Sequence, residues 1–116
     1  MSRHVPDKWV VVYHPEHDVH TILAGWGGGY LHGDSWRRST PLQYVVEHDE
    51  YYEVHNESGS VYECNKRAYG TTGLTAQVIG AAKGGLQALD REAAVQLVES
   101  LQNKGDSIGS RGTSAS

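Results

Sequence analysis

The chain has 116 residues, 38% of them hydrophobic, and a formal net charge of −4. That length supports one hydrophobic core rather than two, the acidic balance argues against a protein that coats nucleic acid, and no apolar run approaches the roughly 20 residues of a membrane helix. The single cysteine, Cys64, excludes an intramolecular disulfide, and the first residues lack the apolar stretch of a secretory signal, so a soluble cytoplasmic protein is expected.

Residues 9–13, Trp-Val-Val-Val-Tyr, read as a β-strand, residues 14–18 with Pro15 as a turn, and residues 19–24 as the returning strand. Gly25-Trp26-Gly27-Gly28-Gly29 reads as a flexible loop, followed by a short edge strand at 30–32 and a turn at 33–35. Residues 42–47, 51–56 and 60–66 then form a three-strand meander. Asn56-Glu57-Ser58-Gly59 fits a type I turn followed by a glycine in the left-handed region. That turn sets the register: Val54 faces Tyr62 and Tyr52 faces Cys64 on a core side, while Glu53 meets Glu63 and His55 meets Val61 on the other. A His48-Asp49 turn places Val45 opposite Tyr52.

Thr71 or Thr72 caps a short helix with Leu74, Val78, Ile79 and Ala82 on its apolar side, weakened by Gly80 and stopped at Gly84-Gly85. Asp90 caps a second helix, in which Ala94, Val95, Val98 and Leu101 make one stripe. Residues 104–116, rich in glycine and serine, hold too little apolar area to offset their ordering entropy and are expected to form a disordered tail. The expectation is a single α+β domain over residues 1–103. Its antiparallel β-sheet has about five strands, hairpin plus three-strand meander, and packs against one or two C-terminal helices.

No motif dictates a reaction. His14, His17 and His20 are close enough along the hairpin to suggest a small metal-dependent enzyme or metal-binding protein, but convergence on one ion needs the loop to fold back, and no Cys-x-x-Cys or His-Glu-x-x-His completes the set. Cys64, with His48 or His55 as base, falls on the core side, where a thiol is inert. Glu53 and Glu63 sit on adjacent strands with no evident sugar cleft. The glycine-rich stretches lack the order of a phosphate loop or dinucleotide fingerprint. No cofactor is implied. Trp36-Arg37-Arg38 and Lys66-Arg67 place guanidiniums beside aromatic rings, which suits stacking on nucleic acid, but neighbouring carboxylates would repel the phosphate backbone.

Between Arg38 and Lys66 there is no lysine or arginine, while Glu47, Asp49, Glu50, Glu53, Glu57 and Glu63 all fall there, leaving the rest of the chain with +2 net. Segregated charge steers association and selects basic partners, and tyrosines supply contact area at low entropy cost. The reading is a noncatalytic protein-binding module. It docks on a basic protein surface through Glu47, Asp49, Glu50, Tyr51, Glu53, His55, Glu57 and Glu63, with Trp26, Tyr30 and Trp36 alongside. A sharper version is a small inhibitor or regulator whose carboxylates sit where phosphates would, as compact acidic proteins of mobile genetic elements act. The oligomeric state is not readable from the residues.

Overall fold

Trp9, Val10, Val11 and Val12 are each at most 4% exposed, so this run is covered on both faces. A single sheet with helices on one side cannot provide that. The computed structural model, which describes residues 2–28, 33–82 and 85–102, has two four-stranded sheets and two helices instead of one sheet of about five strands. The predicted strand at 30–32, Tyr30 and the tail 104–116 lie outside the described residues.

In the first sheet, β2 (Lys8–His14) pairs antiparallel with β3 (Val19–Trp26), as the hairpin pattern predicts. Two unforeseen strands flank it, β4 (Ser35–Arg38) beside β3 and β8 (Gln87–Ala88) beside β2. All four residues of β4 are exposed, and its polar sequence carries no apolar alternation to reveal it. In the second sheet the meander runs through β5 (Leu42–Glu47), β6 (Tyr51–Asn56) and β7 (Val61–Asn65), and β1 (Arg3–His4) adds to β7 in parallel. The architecture is thus α+β and mostly, but not wholly, antiparallel.

The sheets stack because each has one apolar face. Trp9, Val11, Ile22 and Ala24 from the hairpin meet Val45, Tyr52, Val54, Tyr62 and Cys64 from the meander in one buried cluster. The odd residues of β2 point inward here, while the even ones, Val10 and Val12, join Leu23 on the opposite face. Trp9 ties the layers together. Its indole N–H donates to the Asn65 carbonyl at 2.7 Å, and its ring meets Tyr52 and Tyr69 edge to face.

Helix α1 (Gly73–Ala81) covers Val10, Val12 and Leu23 with Val78 and Ile79. Thr72 is its N-cap: the Thr75 N–H donates to the Thr72 hydroxyl at 3.1 Å, and the Thr72 N–H donates to the Thr75 hydroxyl at 2.8 Å. This cap presses on Gly25, where an added Cβ would lie 2.8 Å from Thr72 Cγ2. Gly25 and Trp26 therefore continue β3 instead of opening a loop. Helix α2 (Arg91–Ser100), capped by Asp90, sends Ala94 and Val98 into the inter-sheet core. The turn after it seals the β5 edge, where Val45 N–H donates to the Leu101 carbonyl at 2.9 Å.

Register follows expectation on one side of β6 and differs on the other. Between β6 and β7 the predicted pairs Tyr52–Cys64, Glu53–Glu63, Val54–Tyr62 and His55–Val61 all form, and Gly59 takes φ +91° in the turn. Between β5 and β6, Val45 faces Val54 and Glu47 faces Tyr52. The His48 N–H donates to the Tyr51 carbonyl at 2.9 Å, so the turn is centred on Asp49-Glu50, one residue later than a His48-Asp49 turn. The shift from the predicted pairing is two residues, an even number, so the side chains from Tyr44 to Glu47 keep the faces that pairing gives them, while an irregularity between Leu42 and Tyr44 turns Leu42 to the core.

Candidate functional site

The meander has one face in the core. On its other face β6 presents Tyr51, Glu53 and His55, β7 presents Glu63, and β1 presents Arg3, while Tyr44 and Val46 come from β5. The like-charged pair Glu53–Glu63 is accommodated by separate partners. Arg3 donates to Glu63 Oε2 through Nε at 3.0 Å, with a second guanidinium nitrogen at 2.8 Å. His48 Nε2 donates to Glu53 Oε1 at 2.9 Å and His55 Nε2 donates to Glu53 Oε2 at 2.6 Å, which fixes a proton on both nitrogens because an ionised carboxylate only accepts. Burial pushes the Glu53 carboxyl up, but the two histidine donors and the charge of Arg3 outweigh it and hold it below the ordinary value.

Both histidines are also stacked. His55 lies on Tyr44 with ring centres 4.2 Å apart and planes 9° from parallel, and His48 lies on Tyr51 at 4.5 Å and 22°. The result is a row, Tyr44–His55–Glu53–His48–Tyr51, whose members hold one another in fixed positions. At its end, Asp49 and Glu50 are exposed at the loop and make no ion pair among the described residues.

Other residues of the expected surface go elsewhere. Glu47 is on the core side of β5 at its rim, where Lys66 Nζ reaches its Oε2 at 2.6 Å and Gln102 donates to its Oε1 at 2.5 Å. The bond from Lys66 leads in holding the Glu47 carboxyl below its ordinary value, and Lys66 also stands over the Tyr52 ring. Glu57 is in the turn after β6, at the opposite end of that strand from Asp49 and Glu50. Trp26 and Trp36 belong to the other sheet. Trp26 donates from its indole N–H to the Val5 carbonyl at 2.9 Å and packs on the core cluster.

The histidine cluster divides between two faces. His14 is the last residue of β2, not a loop residue, and pairs with Val19, while His20 pairs with Tyr13 and packs against its ring on the inter-sheet side. His14 and His17 share the opposite side, and no group of three or more metal-ligating side chains assembles among the described residues. The run Trp36-Arg37-Arg38 divides in the same way, because strand alternation sends Trp36 and Arg38 to the α1 face and Arg37 to the other. Cys64 is fully buried and burial pushes its thiol well above the ordinary range.

No helix among the described residues is long and apolar enough to cross a membrane. In comparisons with protein-family models, curated proteins and solved structures, nothing matches the chain.

Proposed function

We propose that the chain is a noncatalytic protein-binding module whose docking surface is the outer face of the meander. The observation that carries this is the row Tyr44–His55–Glu53–His48–Tyr51, ordered by its own contacts before any partner arrives, with each of its side chains half-buried and so still reachable. Side chains already fixed lose little entropy on docking, and tyrosine with histidine supplies amphipathic contact area. The partner surface is basic. Asp49 and Glu50 extend the row with unpaired charge, while Glu63 and Glu53 are partly balanced by Arg3 and the histidines. The partner then exchanges water for carboxylates at the rim and meets rings at the centre. An inhibitor that occupies a nucleic-acid-binding groove in this way is the sharpest form of the reading.

The test is affinity capture from a cell extract with wild-type protein and with Asp49→Lys/Glu50→Lys, a pair on an exposed loop whose reversal leaves the fold intact by circular dichroism. The reading expects a partner bearing a basic surface, held in a salt-sensitive manner by the wild type and lost by the double variant. Capture unchanged by the reversal, or no salt-sensitive partner at all, would count against it.

A further inference from the structure

Helix α1 covers only part of its side of the hairpin sheet. On the same face His14 ends β2 next to the β2–β3 turn that carries Glu16 and His17, and β4 presents Trp36 and Arg38. Between them lies a cavity of about 560 Å³, floored by Val78, Ala81 and Leu86. A second cavity of about 390 Å³ adjoins it, walled by Thr21, Ser39 and Thr40. His14, His17 and Arg38 border both, so they stand at the junction. Each volume is within the range of small-molecule sites.

The junction is built rather than incidental. His14 is only 7% exposed, and its Nε2 lies 2.8 Å from the Thr21 hydroxyl, which locks the ring. Arg38 makes no ion pair among the described residues. Among the described residues the one carboxylate on these walls, Glu16, borders the larger cavity and stands 3.9 Å from His17 Nε2, and none borders the smaller one. Burial first, then Arg38, His17 and His20, hold the His14 pKa below its ordinary value. Trp36, 45% exposed, presents its indole on the other side of Arg38 from the smaller cavity.

From this juxtaposition we infer that the paired cavities bind a small phosphate ester carrying a flat aromatic ring, of mononucleotide size, with its phosphate on Arg38 and its ring on Trp36. The guanidinium offers a fork of donors matched to phosphate oxygens. The hydroxyl-lined cavity without a carboxylate is the anion side, and the apolar floor beside the indole is the ring side. This site is separate from the meander face, so either can stand without the other.

Adenosine monophosphate is the probe, followed by calorimetry and by tryptophan fluorescence. Saturable binding is expected, at least tenfold weaker for adenosine and for inorganic phosphate, because each lacks one half of the recognition. Arg38→Gln and Trp36→Ala, both on the exposed edge strand, should each weaken binding at least tenfold. Arg37→Gln, one residue away on the opposite face, should bind as wild type does. No saturable binding at millimolar nucleotide would overturn the inference, as would equal losses from Arg37→Gln and Arg38→Gln, which would indicate only a diffuse basic strand.

Discussion

The phenolic oxygen of Tyr69 lies 3.1 Å from the backbone nitrogen of Val11, accepting its hydrogen, and at 2.6 Å it donates onward to the carbonyl of Leu89. Residues 68–70 run beside Trp9, with Trp9 N–H donating to the Ala68 carbonyl and Gly70 N–H to the Trp9 carbonyl. Further along, β8 pairs with Val12 and Tyr13. The Tyr69 hydroxyl bridges the gap between these two short pieces, so the β2 edge is satisfied without a continuous strand. Tyr69→Phe leaves the N–H of fully buried Val11 without its acceptor and should cost about 1–3 kcal/mol. Denaturant titration checks this; a midpoint equal to wild type would show that the relay contributes nothing.

Gly25 lies under the α1 cap, and an alanine Cβ there would stand 2.8 and 2.9 Å from Thr72 Cγ2 and Oγ1 and 3.1 Å from Thr75 Cγ2. Both threonines are held by their reciprocal hydrogen bonds, so relief requires breaking the cap or lifting the helix. Gly25→Ala should destabilise by about 1–3 kcal/mol, with amide exchange rising first in α1. Protection unchanged in residues 73–81 would contradict this account.

Acid should weaken the fold in two stages. His4, His14 and His20 all have pKa values depressed below the ordinary 6.5, each mainly by burial. The unfolded chain therefore binds protons first, and stability falls as pH drops below 6.5 through the folded values. Glu47 and Glu53 are also held below the ordinary 4.5, so the stability they add is complete above that pH and is lost as pH falls through their folded values. Thermal midpoints against pH should be level near neutrality and then decline across both ranges. Stability that increases between pH 6.5 and 5 would contradict the histidine assignment.

Cys64 has no exposed surface, and desolvation keeps its thiol protonated. An aromatic disulfide reagent should react with it only as fast as the core opens, and denaturant should accelerate the reaction by orders of magnitude. Fast modification of the native protein at neutral pH would show that the inter-sheet core is not closed.

The parts of the fold legible in the sequence were those with strong local grammar. Asn56-Glu57-Ser58-Gly59 specified both a turn and a register, and Thr72 and Asp90 marked two helix starts. The second layer was not legible as such, though Val10-Val11-Val12 was its signal: an unbroken apolar run asks for cover on both faces, whereas alternation would ask for one. β1, β4 and β8 are two to four residues long and gain their pairing from neighbours, which no local pattern reports. At the candidate surface, opposition of Glu53 and Glu63 was readable, but its resolution by Arg3, 60 residues distant in sequence, depends on a parallel pairing that only the fold supplies. Trp36 and Arg38 could have been separated from Arg37 by period-two alternation, had β4 been recognised as a strand.

How the two sheets terminate bears on behaviour at high concentration. One ends in two-residue β1 and in β5, already hydrogen-bonded to the chain after α2; the other ends in two-residue β8 and in β4, which carries adjacent arginines. A neighbouring molecule thus finds either too few free amides to zip onto or a pair of guanidiniums repelling its own copy. Crowded solutions of this protein should stay free of cross-β polymer.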